Sequence, residues 1–414
     1  MSRRRLTWFT VAAWAMVLAV VAVVVSAGRS GKLYPTFVAA GDHFWRGEPL
    51  YGDVPAGQDI YRYSPLVAAA LVPWTYVPAN TGEILWRWAQ AIVFLFALRA
   101  WSRVAVPAVP WPALALLCLP LVAGNIFNGQ LNPLVAALLF GGLAAFARER
   151  YWLAAGLIAA ATLIKVYPLA LGLLLCVVEL RRFGPRLGVA VAIGCTAPFA
   201  LQSDEYIVQQ FAAWWERVET DDRTDQPIHK GYHDFQKLLR CWGMPTELPT
   251  YRGMEMVAGC AAAAFVLWGR RNRWDRPVQI QACAGLGLVW CTLFGPATES
   301  ATYMLLAPIA AQAALAVTDR ALWERIWVWG AYLLLLSVPV ILWFPRPVSD
   351  PYRAFIPQAH AAVLLLVWHL RVSLLAHTVT PLQHKRTFSA MHSAMHSARQ
   401  SATNSSGPTQ ANGG

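Results

Sequence analysis

The chain has 414 residues and a formal net charge of +12, with 57% hydrophobic and 14% charged residues. Soluble domains carry roughly 45–50% apolar and about 25% charged residues, so this balance excludes an ordinary water-soluble fold and marks an integral membrane protein. The basic excess, which in a soluble chain would point to nucleic acid, is here read through its placement, and no nucleic-acid partner is expected.

Arg3, Arg4 and Arg5 precede an apolar run of about 20 residues, long enough to span a bilayer and longer than a cleavable signal core. The prediction is a retained signal-anchor helix, with cleavage near Ser26–Ala27–Gly28 as the alternative. The arginines hold its start in the cytoplasm, so the loop from Gly28 to Pro65 lies outside. That loop gathers Asp42, Glu48, Asp53, Asp59, Arg46 and Arg62 in a chain otherwise poor in charge. Phe37, Val38, Ala40, Phe44 and Trp45 predict an amphipathic helix on the membrane, with Asp42, His43 and Arg46 on its polar side. Asp59, Tyr61, Arg62 and Tyr63 then precede Ser64–Pro78, which is apolar but short and interrupted by prolines. A segment dipping into the outer leaflet fits it better than a span.

Further spans are predicted near Glu83–Ala100, Ala113–Gly124, Pro133–Ala147, Leu153–Lys165, Leu169–Leu180 and Leu187–Leu201. After a polar stretch at Gln202–Gly253 come Met254–Trp268, Val278–Phe294, Thr302–Val317, Ile326–Phe344 and Ala359–Leu375. With the first helix this gives an all-α polytopic bundle of about 12 spans. The arginines test the count: Arg99 and Arg103, Arg148 and Arg150, Arg181, Arg182 and Arg186, Arg270 to Arg276, and Arg320 with Arg325 all fall in alternate turns on the N-terminal side. The opposite turns carry almost no positive charge except Lys165, Arg346 and Arg353. Residues 1–376 are read as one membrane domain and 377–414 as a disordered cytoplasmic tail, in which His384, His392 and His396 sit in a polar, low-complexity stretch.

Six of the seven cysteines lie in apolar runs, so no disulfide framework is implied. Walker, GxGxxG, HExxH and CxxC patterns are missing from the sequence, which removes support for nucleotide hydrolysis and metalloprotease chemistry. No ligand spacing calls for a metal.

The polar residues expected on the outer face therefore carry the functional question. Lys165 ends an apolar helix, and its ammonium is read either as a snorkelling anchor or as a cation for a membrane-attached phosphate. Asn128, Gln130 and Asn132 lie in a turn broken by Gly129 and Pro133, where amides satisfy open backbone or bind sugar hydroxyls. Glu299 in PATES is either solvated or lines a cavity. The long loop, with Trp214, Trp215, Glu216, Asp221, Asp222, His229, His233 and Asp234, is read as a lid or a solvated loop.

Four stretches, FVAAGDHFWRGEPLY with YRYSPLVAAALVPW, NGQLNPLVAALL, AAGLIAAATLIKVYPLALGLLL and LFGPATESATYMLLAP, carry a resemblance. In order and spacing the chain resembles the GT-C type, polyprenyl-phosphate-mannose-dependent membrane glycosyltransferases of family 87. The resemblance implies a GT-C-like bundle in a bacterial cytoplasmic membrane with an amphipathic, re-entrant outer loop, both termini cytoplasmic and the site facing outward. It implies transfer of a hexose, typically mannose, from a polyprenyl-phosphate sugar to an extracytoplasmic lipid or glycan acceptor. No cofactor is called for, and a divalent metal stays open without any ligand spacing to support it.

In such families an acidic residue just after the first span is similar to a general base. Here Gly28 to Leu33 holds no carboxylate, so Asp42, Asp59 and Glu299 become the candidates. Chemically, an acceptor hydroxyl needs a carboxylate to take its proton and the leaving phosphate needs cations, in a single inverting displacement. Lys165 and Arg62 are the expected phosphate ligands. Asn128, Gln130, Asn132, Tyr61, Tyr63 and Tyr303 are the expected sugar or lipid contacts. A secondary transporter is the alternative, along with a non-catalytic envelope-assembly protein; the former would place ionisable residues at mid-membrane and repeat its halves.

Overall fold

A computed structural model describes residues 2–29, 31–52, 59–220 and 232–375. The sequence readings at Asp53, Asp221, Asp222 and His229, and those on the tail from 376, lie outside these residues. In chain order the helices are α1 (Arg3–Ser26), α2 (Leu33–Arg46), α3 (Pro65–Leu71), α4 (Ala79–Trp101), α5 (Trp111–Phe127), α6 (Asn132–Ala147), α7 (Tyr151–Ile164) and α8 (Leu169–Val178). They continue with α9 (Leu180–Thr196), α10 (Asp204–Thr220), α11 (Phe235–Cys241), α12 (Leu248–Arg271), α13 (Arg276–Leu293), α14 (Ala307–Ala316), α15 (Leu322–Ile341), α16 (Arg346–Ala354) and α17 (357–375). Short 3-10 turns follow α3 (Val72–Tyr76) and precede α14 (Ser300–Leu306). Among the described residues there is no strand.

Every predicted span coincides with helix, but the count of a dozen crossings is not met by length. Among the described residues, five stretches are long and apolar enough to cross a membrane: α1, α4, Leu180–Ala200, α15 and Arg346–Leu375. A 10-residue helix such as α8 rises only about 15 Å, half of a hydrocarbon core. The short apolar helices instead build the centre. Leu139, Phe140, Leu143 and Phe146 of α6 are fully buried against α4 and α7, where small residues let the backbones approach. Trp101, Gln281 and Gln312 tie α4, α13 and α14 through buried side-chain hydrogen bonds, Trp101 Nε1 donating to Gln312 Oε1 at 3.1 Å.

The two ends of the bundle differ. At one, the arginine-bearing turns converge: Glu149 meets Arg182 and Arg276 at 3.9 and 3.6 Å, and Arg270 donates to the Val177 carbonyl at 2.8 Å. At the other, the loops that carry the remaining polar residues meet.

The expected amphipathic helix is α2, and it is more deeply seated than a surface-lying helix would be. Helix α2 packs on α3 and its 3-10 turn, with Phe37 buried against Tyr63 and Trp86 and Phe44 against Tyr206; Tyr34 and Ala40 are buried too, while Trp45 stays exposed. Gly41 makes the seat possible, because a Cβ there would lie 2.9 Å from the backbone carbonyl of Leu71. Backbone cannot move aside as a side chain can, so Gly41→Val is expected to lower stability by about 1–3 kcal/mol, read as a fall in the thermal aggregation midpoint. An unchanged midpoint would mean that α2 can slide off α3 at little cost.

Candidate active site

Four connections converge on a small cavity of about 190 Å³: the strand-like segment 59–64, the α5–α6 turn, the α7–α8 turn and the turn after α13. Its wall includes Asp59, Arg62, Tyr63, Gln130, Lys165 and Glu299, six of the residues singled out in the sequence. Helix α10 closes it with Trp214 and Arg217.

Each of these side chains is positioned by an identifiable local cause. Residue 59 is stitched to α2: its N–H donates to Thr36 Oγ1 at 2.9 Å, and Thr36 Oγ1 donates back to its carbonyl at 3.1 Å. The Asp59 carboxylate accepts from the Ile60 N–H at 2.8 Å and stands 3.6 Å from Arg62 Nη1. Part of its capacity is thus already engaged.

Lys165 leaves the end of α7 in extended backbone, and its Nζ donates to Asn132 Oδ1 at 2.9 Å. Asn132 in turn donates to Gln130 Oε1 at 2.7 Å and Asn125 Oδ1 at 3.0 Å, so the amides form a chain that orients the ammonium. In this turn beyond the helix, burial pushes the lysine down to about 8, with Glu299 opposing the shift and Arg62 adding to it.

The turn that carries Glu299 is tightly specified. A Cβ on Gly295 would lie 2.2 Å from the Cys291 carbonyl, and Ala297 holds a left-handed φ of 54°. Such a conformation in a non-glycine residue costs of order 1–3 kcal/mol and is kept where surrounding structure over-determines it. Here Thr298 supplies that constraint, donating through Oγ1 to Gly295 and accepting at its carbonyl from the His233 N–H at 2.7 Å.

Glu299 also lines a second and larger cavity, of about 930 Å³, on its other side. Apolar residues of α1, α5 and α15 form most of that wall, and Asn128, Ser300, Tyr303, His233, Arg353 and Gln358 form the polar end. His233 is 2% exposed, and burial aided by Arg353 and Lys237 pushes its imidazole down to about 3, leaving it neutral.

Not every expected residue is at these cavities. Asp42 lines neither; it is half-exposed on α2 and pairs with Arg46 at 3.1 Å, one helical turn on, which corrects its candidacy as the base. Tyr61 also lines neither: its ring is buried between Tyr51 and Tyr63, and its hydroxyl donates to the Ser64 carbonyl at 3.0 Å. Asn132 acts through Lys165 rather than on the wall. Tyr303 is 1% exposed and its hydroxyl donates to the His233 carbonyl, so it supports the turn while its body faces the larger cavity.

Sequence reasoning missed the pair Glu83 and Arg87, buried in the first turns of α4. Arg87 sits under Gly129, whose Cβ would be 3.5 Å from its Nε, and Trp86 Nε1 donates to the Gly129 carbonyl at 3.0 Å. Together they support the amide turn from below. An acid and a base four apart at the start of an apolar helix was the available signal. Among the described residues no group of three or more His, Cys, Asp or Glu is placed to hold a metal ion.

The sequence profile of glycosyltransferase family 87 matches residues 61–296, more than half of the chain. The chain belongs to glycosyltransferase family 87. This family 87 protein is therefore a membrane glycosyltransferase, and the matched stretch contains Arg62, Gln130 and Lys165. Asp59 and Glu299 fall just outside it, so the roles of the two carboxylates rest on geometry. No curated protein matches the chain closely enough to count as a relative.

Proposed function

We propose that this family 87 enzyme transfers a hexose, mannose in the simplest reading, from a polyprenyl-phosphate donor to an acceptor hydroxyl on the extracytoplasmic side of the membrane. The observation that carries the reading is Glu299, one carboxylate that belongs to both cavities. The smaller cavity offers Lys165, Arg62 and Arg217 to a phosphate and Tyr63, Gln130 and Trp214 to a sugar ring. Cations suit a leaving phosphate because the charge that develops as the glycosidic C–O bond breaks is stabilised by donors already in place.

In the proposed step Glu299 takes the proton of the acceptor hydroxyl as its oxygen attacks the anomeric carbon from the face opposite the phosphate. The bond to the phosphate oxygen breaks, its electron pair leaves with the polyprenyl phosphate, and the anomeric centre inverts. Asp59 holds Arg62 toward the phosphate. At about 190 Å³ the smaller cavity is below the range of roughly 300–1,000 Å³ for whole drug-sized ligands, so it suits a headgroup while the isoprenoid stays in lipid.

A transporter would use charges along a pathway through mid-membrane. Glu83 and Arg87 pair with each other at one end of α4 and line neither cavity, which gives a carrier no support. The test is purified protein in nanodiscs with radiolabelled polyprenyl-phosphate-mannose and a membrane extract as acceptor. Label moving into an acceptor with release of polyprenyl phosphate is expected; solute uptake in proteoliposomes without sugar release would overturn the reading.

A further inference from the structure

A buried ion pair stands under the partition between the two cavities. Glu83 and Arg87 face each other across one turn of α4, 3% and 1% exposed, with Arg87 Nη2 donating to Glu83 Oε1. Neither lines a wall of either cavity. Well-packed apolar side chains of similar volume are often as stable as such a pair or more so, because drying two charges offsets most of their attraction. A pair kept here has a use other than holding the bundle together.

The use lies in what the guanidinium touches. It sits where three segments meet: α4 itself, residue 31 between α1 and α2, and the amide turn between α5 and α6. A Cβ on Gly31 would lie 3.4 Å from the Asn128 carbonyl and 3.8 Å from Arg87 Nη2. Gly129, at a left-handed φ of 67°, faces the Arg87 stem, a Cβ there lying 3.5 Å from Nε. Trp86 Nε1 donates to the Gly129 carbonyl at 3.0 Å. Arg87 Nε and Nη1 make no hydrogen bond, so the side chain serves the turn through its shape and its rigid planar fork.

The turn set on this junction faces both ways. Asn128 lines the larger cavity and Gln130 the smaller. Two residues on, Asn132 accepts from the Lys165 ammonium at 2.9 Å while donating to Gln130 Oε1 at 2.7 Å. A tilt of the turn would therefore move the amide that aims the lysine.

We propose that Glu83 and Arg87 are positioning residues for the transfer reaction, acting on the donor phosphate through the amide turn, Asn132 and Lys165. The inference rests on the transferase reading. Glu83 locks the guanidinium, the guanidinium and Trp86 set the height of Gly129, and the turn presents Asn132 to the ammonium. Asp59, Arg62, Arg217 and Glu299 share the lysine's cavity with the phenols of Tyr63, Tyr167 and Tyr232, and a change in the pair alters none of these groups chemically.

The test exchanges the pair as a whole, in the full chain in nanodiscs. Glu83→Leu/Arg87→Met keeps the volume and the helix propensity, whereas either single change strands a buried charge. The thermal midpoint of the double variant is expected to match the wild type. Its KM for polyprenyl-phosphate-mannose should rise about tenfold with kcat less affected, since small misplacements of a binding group are felt strongly. Lys165 reports the same change without turnover: competitive reductive methylation read by mass spectrometry gives the pH at which it loses its proton. With Asn132 no longer held against it, the charged form loses an acceptor, so that pH should fall by about one unit. In an Asn132→Ala background the exchange should add little to KM. Arg87→Lys keeps the ion pair but not the fork beside Gly129. It should raise KM severalfold at full stability, and it carries the test if the double variant does not fold.

Wild-type KM and an unmoved Lys165 titration in a folded double variant or in Arg87→Lys overturn the positioning role, as does a KM effect that adds in full to that of Asn132→Ala. A wild-type protein that never turns over donor sinks the transferase reading instead, and the Lys165 titration still decides whether the pair sets the lysine.

Discussion

Lys165→Ala is expected to abolish sugar transfer while the protein still inserts and purifies as a folded monodisperse particle. The ammonium is held by Asn132 at the wall of the smaller cavity, and its removal leaves the phosphate to Arg62 and Arg217 without the group that Asn132 orients. Loss of one preorganised group that stabilises developing charge costs about 10²–10³ in kcat, and a comparable fall is expected here. The same residue sets an alkaline limb. Burial lowers its proton affinity, so the charged form is present below about pH 8 and is lost as pH rises through that value. Transfer should decline over that range, and Lys165→Arg, which stays protonated, should extend activity to higher pH while lowering its maximum. A wild-type profile flat to pH 10, or full activity in Lys165→Ala, would take Lys165 out of the site.

Glu299→Gln is the second large effect. The amide keeps the size and the hydrogen bonding of the carboxylate but cannot accept the acceptor's proton, so kcat should fall by about 10²–10⁴ with donor binding little changed. Asp59→Asn should act differently, because the Asp59 carboxylate is engaged by the Ile60 N–H and Arg62. Its effect should appear mainly in KM for the donor, through a less well-held Arg62. Single-turnover measurements on both variants distinguish the roles. If Asp59→Asn stopped chemistry and Glu299→Gln spared it, the base would be Asp59.

Much of this site was readable from exceptions to a rule. The arginines of the alternate turns obey a charge asymmetry that Lys165, Arg346 and Arg353 break; Lys165 and Arg353 each line a cavity, and Arg346 lines neither. A charge kept where the pattern forbids one has a reason to be there, and for Lys165 and Arg353 the reason is visible in the structure. Helix positions were legible for the same reason, since apolar runs bounded by Pro, Gly and Arg leave few choices. Depth was not. Asp42 and Asp59 look equivalent in sequence, seventeen residues apart in one polar loop, but Thr36 draws residue 59 to the cavity while the helical register turns Asp42 to a neighbour one turn away. The number of crossings was not legible either, because α7 and α8 are apolar throughout yet short, and composition cannot tell a helix that spans from one buried by other helices.

The sequence around helix α10 reads as a lid or a solvated loop, since its charges and aromatics follow no metal-ligand spacing. The order lay in a different set: Gln202, Tyr206, Gln210 and Trp214, each four residues after the last. Gln202 Nε2 donates to the Phe44 carbonyl at 2.8 Å, Tyr206 to that of Glu48 at 2.8 Å, and Trp214 to that of Arg62 at 3.2 Å, while Gln210 Oε1 accepts from the Leu50 N–H at 2.9 Å. All four partners are main-chain atoms. The seam is consequently one-sided: these four hydrogen bonds depend on the side chains at 202, 206, 210 and 214 and on no side chain of the first loop.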